Sequence, residues 1–147
     1  MAKGYIVDKI ANRISRDLCD SNGSVNAGGD ICFFGTAQPS VKLRLGSTAT
    51  PLFREMTFSK AAIATSSPTR ASDDPDSSSR YDVNLREGLL ASSTVAVIAD
   101  CCANADALTK VGLFAARAER TRAARVFNAQ ILTFDAGGQL IEALGAE

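Results

Sequence analysis

The chain has 147 residues, of which 46% are hydrophobic and 22% are charged, and these near-average proportions indicate a chain with a packed core rather than a globally disordered one. Sixteen basic residues balance sixteen acidic ones, so the chain lacks the excess positive charge that tight nucleic-acid binding requires. We therefore expect one folded domain over residues 1–147, without nucleic acid as its partner.

The N-terminal segment has helical periodicity over residues 5–20. Its apolar residues recur at every fourth position, the spacing of one helical face: Ile6, Ile10, Ile14 and Leu18. This stripe predicts an amphipathic helix that docks on the sheet of its own chain, because most helices gain their stability by intramolecular packing. Docking on a neighbouring subunit is the alternative, and it makes the four residues candidate subunit contacts.

Several short segments after a Gly-rich loop at 21–30 have the composition of β-strands. They alternate apolar and polar residues or are rich in β-branched and aromatic ones. The predicted strands span 31–34, 41–45, 52–58, 81–87 and 93–99. Segment 65–80 is rich in Ser, Asp and Pro and has no apolar residue larger than Ala, so it predicts a long exposed loop or arm.

The segment 104–125 fits either a helix or a strand. Leu108, Val111 and Ala115 have helical spacing, but Gly112 weakens a helix by about 1 kcal/mol relative to Ala. The flanking segments are strand-like, so we predict a strand over 109–116.

The C-terminal segments 126–134 and 139–144 predict a β-hairpin, because an Asp-Ala-Gly-Gly turn joins them. In total the sequence predicts about eight short strands. The predicted fold is mainly β: an antiparallel β-sandwich with one N-terminal amphipathic helix and a long polar loop.

The residue inventory excludes most catalytic sites. Without His, the chain builds neither Ser-His nor Cys-His nucleophiles, and it carries no Gly-rich phosphate-binding motif. Asp73, Asp74 and Asp76 suit Ca²⁺ by chemistry but lack EF-hand spacing, which favours a solvated acidic loop. We therefore predict no enzyme, no metal site and no cofactor.

Four arginines form a short basic run that includes one acidic residue, Glu119: Arg117, Arg120, Arg122 and Arg125. They are candidate contacts to acidic groups of a partner, and a solvated loop is the alternative.

The four cysteines, Cys19, Cys32, Cys101 and Cys102, show no CxxC spacing. In a reducing cytosol we expect free thiols that pack as small apolar residues. Late disulfides, including disulfides between subunits, are the alternative.

Two stretches resemble small virion proteins of tailed bacteriophages. The N-terminal helix followed by ICFFGTAQPS and LFREMTFSKAAI resembles the opening of these β-rich proteins, and ALTKVGLFAA resembles the strand before their last hairpin. After Phe114, AARAERTRAAR replaces the short turn of that pattern. The resemblance implies a capsid decoration or head and tail accessory subunit, and no catalytic residues come with it.

The resulting prediction is a non-enzymatic virion structural protein, assembled in the host cytoplasm. It binds other virion proteins in many copies, stabilises the particle and has no membrane partner, since its apolar runs are shorter than the roughly 18 residues of a membrane span. A cytosolic ligand-binding β-sandwich or a thiol-dependent enzyme using Cys101 or Cys102 is the alternative, although neighbouring Asp100 has the wrong charge to lower a thiol pKa. A third hypothesis is a DNA-contacting accessory factor that uses the arginines.

Overall fold

The computed structural model describes residues 2–45, 51–58, 61–67 and 93–145. Three helices lie in these ranges: α1 (Ala2–Asp17), α2 (Cys102–Phe114) and α3 (Arg117–Val126). The strands are β1 (Gly23–Ala27), β2 (Asp30–Phe34), β3 (Ser40–Leu45), β4 (Leu52–Thr57), β5 (Ala62–Ser66), β6 (Thr94–Ala99), β7 (Gln130–Phe134) and β8 (Leu140–Leu144). The prediction of a mainly β fold with eight strands and an N-terminal helix is confirmed.

Six strands form one sheet in the order β1-β2-β5-β6-β7-β8, and every neighbouring pair is antiparallel. Strands β3 and β4 form a separate antiparallel hairpin, inserted in the chain between β2 and β5. The hairpin packs on one face of the sheet, where Leu43 and Leu45 join Ile63 and Phe134 in one apolar cluster. The helices cover the other face, and all six residues of β6 are buried between the two layers.

The predicted Gly-rich loop at 21–30 contains strand β1 and the hairpin turn to β2. Gly28 and Gly29 both have positive φ, +62° and +97°, which is the backbone that a two-residue hairpin turn needs. The Asn26 side chain accepts a hydrogen bond from the Gly29 N–H at 3.0 Å. Two adjacent glycines between Val25 and Ile31 were the sequence signal for this hairpin.

The predicted strand at 109–116 is wrong, because residues 102–114 form helix α2. Gly112 is buried, and a Cβ there would lie 2.6 Å from Val95 Cγ1 of β6. The glycine therefore lets the helix approach the sheet closely, and this packing outweighs the intrinsic helix penalty of about 1 kcal/mol. The same helix contains the Gly-Leu-Phe stretch that resembled a virion strand.

The remaining segments match the prediction to different extents. The hairpin of β7 and β8 has its turn at the predicted place, but Val126 ends α3 and the strand starts only at Gln130. The start of the predicted loop at 65–80 belongs to β5. Residues 68–80, including the three clustered aspartates, lie outside the described residues, as does the predicted strand 81–87. No helix of the described ranges is long and apolar enough to cross a membrane.

Candidate functional site

A cluster of polar side chains gathers at one end of the six-stranded sheet, on the side of the helices. Because β5 runs antiparallel to β2, the end of β5 lies beside the start of β2 and its glycine turn. Helix α2 packs against both β5 and β2. Five side chains meet there, and we call them the polar cluster: Lys3, Asp30, Ser66, Thr109 and Lys110.

The hydroxyl groups of the polar cluster form a directed chain of hydrogen bonds. Buried Thr109 donates its hydroxyl proton to the Asp106 carbonyl at 2.7 Å. The Ser66 and Thr109 oxygens are 2.9 Å apart, and since the Thr109 proton is already committed, Ser66 must be the donor. Lys110 Nζ then donates to Ser66 Oγ at 2.6 Å and lies 3.4 Å from Thr109 Oγ1. This series of hydrogen bonds fixes the direction in which the exposed ammonium group of Lys110 points.

Asp30 is a buried carboxylate at the base of this cluster. Its side chain is 3% exposed, and its Oδ2 lies 2.9 Å from Nζ of Lys3, whose side chain is 52% exposed. Burial raises the pKa of Asp30, and the nearby charge of Asp106 adds to that effect, while pairing with Lys3 and the charge of Lys110 oppose it. Loss of solvation therefore outweighs the compensating positive charges.

Helices α1 and α2 hold the cluster through reciprocal contacts at their N-terminal turns. The Asp8 carboxylate of α1 accepts the backbone N–H groups of Cys102 and Ala103 at 2.7 and 2.8 Å. The Asp106 carboxylate of α2 accepts the N–H of Gly4 in α1. Each helix thus supplies the acid that satisfies the other's free N–H groups and complements its dipole. This arrangement fixes the helices that carry Lys3 and Lys110.

The apolar stripe of α1 lies beside the buried face rather than on it. Gly4, Val7 and Ala11 are the buried residues of the helix. Of the predicted stripe, Ile6 and Ile10 are 55% and 44% exposed and Ile14 is half-buried. Leu18 is 54% exposed and follows the helix, which ends at Asp17 and not at the predicted residue 20. The helix does pack on its own sheet, but through smaller residues, because Gly4 allows the backbones of α1 and α2 to touch. Whether the exposed isoleucines contact a second subunit stays a prediction.

Two of the four predicted contact arginines bind within the chain. Arg117 Nε donates to Glu142 Oε1 of β8 at 3.0 Å, and Arg120, which is mostly buried, donates to the other oxygen of Glu142. These pairs tie α3 to the edge of the sheet. Arg122 and Arg125 are exposed, and their contact with a partner stays a prediction.

All four cysteines are free thiols: Cys19 is exposed, Cys101 half-buried, and Cys32 and Cys102 buried. Burial raises the pKa of both Cys32 and Cys102 to about 12, with a further contribution from the charge of Asp8 at Cys32 and of Asp30 at Cys102. A thiol with so high a pKa is a poor nucleophile at neutral pH, which argues against Cys102 as a catalytic residue.

The residues of the polar cluster were not predicted as site residues from the sequence. Ser66 and Thr109 are 43 positions apart, and only the packing of α2 on β5 brings them together. One signal was available: Asp106 and Lys110 have the i, i+4 spacing of an acid and a base on one helical face. Within the described ranges no group of three or more Cys, Asp or Glu side chains is arranged to hold a metal ion.

Comparisons with known proteins identify the family. The sequence profile of the ApbE family matches residues 1–132. The crystal structure of the ApbE protein from Thermotoga maritima matches with a TM-score of 0.66 and 22% identity, over 95% of this chain and 48% of that chain. This chain thus spans about half the length of that protein. No curated protein sequence matches significantly. The chain belongs to the ApbE family.

Family membership corrects the predicted function. The resemblance to bacteriophage virion proteins is wrong, and with it the structural role, the predicted absence of enzymatic function and the location on a particle. ApbE proteins are bacterial cellular proteins, and the family's members are flavin transferases. The misleading stretches were short strings whose conformation depends on packing: ICFFGTAQPS spans β2 and the loop after it, and ALTKVGLFAA lies largely in α2.

Proposed function

We propose that this chain takes part in flavin transfer and that Lys110, positioned by Ser66 and Thr109, binds the phosphate of a flavin nucleotide donor. Membership of the ApbE family supports the activity. Because the chain spans about half of the Thermotoga protein, the proposal concerns the part of a donor site that these residues supply.

The observation that carries the proposal is the environment of the Lys110 ammonium. It is exposed, and its described hydrogen-bond partners are hydroxyl oxygens rather than carboxylates. Lys3 forms an ion pair with Asp30. The charge of Lys110 also acts on Asp30 and Asp106, but its ammonium is exposed and can face an additional anion. Lysine binds phosphate as a point charge, and Ser66 holds this charge at a fixed place.

Transfer of the flavin group needs no oxidant. The bond between the flavin group and the rest of the donor breaks, and a bond between the flavin group and the acceptor forms. The proton that the acceptor loses ends on the departing fragment, so the redox state of the flavin is unchanged. In this scheme the cluster positions the charged part of the donor.

Binding of FMN and riboflavin, measured by flavin fluorescence, tests the proposal, because the two differ only by the phosphate. We expect Lys110→Ala to weaken FMN binding by at least tenfold, about the loss of one charge-assisted hydrogen bond. Riboflavin affinity should stay the same. Lys9→Ala is the matched control, since Lys9 is an exposed lysine on α1 that stacks over Tyr5 at 5.2 Å.

Equal FMN affinity of the wild type and Lys110→Ala would refute the phosphate assignment. Incubation with FAD and separation of the products then tests the activity itself. Failure of the wild-type chain to bind FAD or FMN at all would count against flavin transfer by this chain.

A further inference from the structure

The two edges of the six-stranded sheet present different surfaces to the solvent. At one edge, the exposed side chains of β1 are polar, Ser24 and Asn26, and α1 packs against the strand. At the other edge, β8 pairs with β7 alone among the described strands. Its sequence is LIEAL, with neither the lysine nor the proline that commonly protects an edge strand. The outer backbone groups of β8 can therefore pair with a further strand.

The side of β8 that faces the β3–β4 hairpin is apolar. Leu140 and Ala143 lie opposite Phe134 and Leu132, which belong to the apolar cluster beneath the hairpin. Leu140 is 38% exposed, and Ala143 is exposed as well. Ile141 lies at the irregular step in the register of β7 and β8 and is 48% exposed. The apolar surface thus continues to the edge of the sheet, where an added strand would bury it.

The side of β8 that faces α3 is basic. Glu142 points to this side, where its carboxylate accepts hydrogen bonds from Arg117 and Arg120. The Arg117 side chain is still 74% exposed, and Arg122 and Arg125 are exposed on the same helix. The four arginines of α3 outnumber the two acidic residues of α3 and β8. This side of the edge therefore carries an excess of positive charge that acidic groups can meet.

We propose that the outer edge of β8 binds an extended segment of another polypeptide in which aliphatic and acidic residues alternate. Successive side chains of a strand point to opposite faces, so the aliphatic ones cover the apolar side and the acidic ones face the arginines of α3. Backbone hydrogen bonds to β8 supply affinity that is independent of sequence. A second copy of this chain fits less well, because its own α3 would bring a second excess of positive charge to the same place. The proposal uses no residue of the polar cluster and does not depend on flavin transfer.

Fluorescence anisotropy of labelled heptapeptides, titrated with the 147-residue chain, tests the proposal. We expect a peptide of alternating valine and glutamate to bind saturably at low salt, with a dissociation constant of about 1 mM or tighter. Proline at the centre of this peptide should abolish binding, because proline cannot donate to a strand ladder. A peptide of alternating valine and lysine keeps the pattern but reverses the charge, so it should bind about tenfold more weakly or worse.

Arg117→Gln removes one exposed positive charge beside β8 and should weaken binding of the valine–glutamate peptide about threefold. Arg13→Gln is the matched control. Arg13 is 78% exposed, and its Nε pairs with Asp17 at 2.8 Å, much as Arg117 Nε pairs with Glu142 at 3.0 Å. It lies on α1, which packs against the opposite edge of the sheet, so its loss should leave peptide affinity unchanged.

Ile141→Ser tests the apolar contribution and should also weaken binding about threefold, as expected for partial burial of one aliphatic side chain. Ile6→Ser is its control, because Ile6 is 55% exposed on α1. Absence of saturable binding, equal affinity for the three peptides, or a stable dimer of the chain that excludes the peptide in sedimentation would overturn the proposal. So would equal affinities of both variants and their controls, with circular dichroism showing that each variant is folded.

Discussion

The two ends of strand β2 are stabilised by different interactions. At its start, Asp30 is buried among charges, and the chain compensates with Lys3 and the reciprocal contacts of α1 and α2. At its end, the exposed loop that follows is held by one amide side chain, because the Asn22 oxygen accepts the N–H groups of Thr36 and Ala37. Buried charge needs partners from distant segments, whereas water can replace a hydrogen bond that is lost in an exposed loop. We therefore expect changes at the polar end to affect the whole fold and changes in the loop to remain local.

A substitution at the close contact of α1 with α2 should cause the largest loss of stability. A Cβ at Gly4 would lie 2.6 Å from the Cys102 carbonyl oxygen, and backbone atoms cannot move aside easily. Helix propensity alone favours Ala over Gly by about 1 kcal/mol, but we expect Gly4→Ala to lower the free energy of unfolding by about 1–3 kcal/mol. Urea denaturation measures the change, with Gly137→Ala in an exposed turn as control. A more stable Gly4→Ala variant would disprove this close contact.

Loss of the Asp8 side chain, which caps the N-terminus of α2, should cause the second largest loss of stability. Asp8→Ala leaves two N–H groups at the start of α2 without their acceptor, which costs about 1–2 kcal/mol. Asp17→Ala on the same helix removes only an exposed ion pair with Arg13, worth about 0.3–0.5 kcal/mol. Thermal unfolding of both variants gives the comparison. Equal losses for the two would mean that the coupling between α1 and α2 is weak.

The Asn22 amide should matter less for stability, although it accepts the same number of N–H groups as Asp8. Its loop is exposed, so water replaces the lost acceptor and the expected loss for Asn22→Ala is about 0.5 kcal/mol. Hydrogen exchange should show faster exchange of the Thr36 and Ala37 amides, with little change around α2. Faster exchange throughout the sheet would contradict a local role.

The pH dependence of stability should show the smallest effect, because Lys3 offsets part of the burial of Asp30. A carboxyl group whose pKa is raised by folding binds its proton more tightly in the folded state. Its contribution therefore disfavours folding increasingly as the pH rises from its ordinary pKa of 3.8 through the raised value. Asp30→Asn removes the titrating carboxyl group, so the stability of the wild type should fall relative to the variant as the pH rises through this range. The opposite slope would show that pairing with Lys3 outweighs burial.

Local patterns in the sequence identified several elements correctly. In β3 the alternation of Val41, Leu43 and Leu45 with polar residues matches the observed burial at every position. The apolar run of β6 and the Asp-Ala-Gly-Gly turn between β7 and β8 were also located, as was helix α1. In each case the signal lies within a few neighbouring residues and reflects steric preference and simple amphipathic spacing.

Other features depended on contacts between distant segments. From the sequence alone, Gly112 suggests the end of a helix, but in the structure it lets α2 approach Val95 of β6 closely. In the same way, the role of Gly4 becomes visible only from its contact with α2. Resemblance over short strings failed for the same reason, since the stretch that includes Gly112 is helical here.

The sequence by itself determined a mainly β chain with an N-terminal helix, because strand alternation, helical spacing and turn residues act locally. Only the tertiary structure decided which face of α1 is buried, that residues 102–114 are helical, and that Ser66 meets Lys110. Those outcomes come from close packing and from the need to compensate buried charge. Both depend on which segments meet, and composition and periodicity along the chain do not specify that.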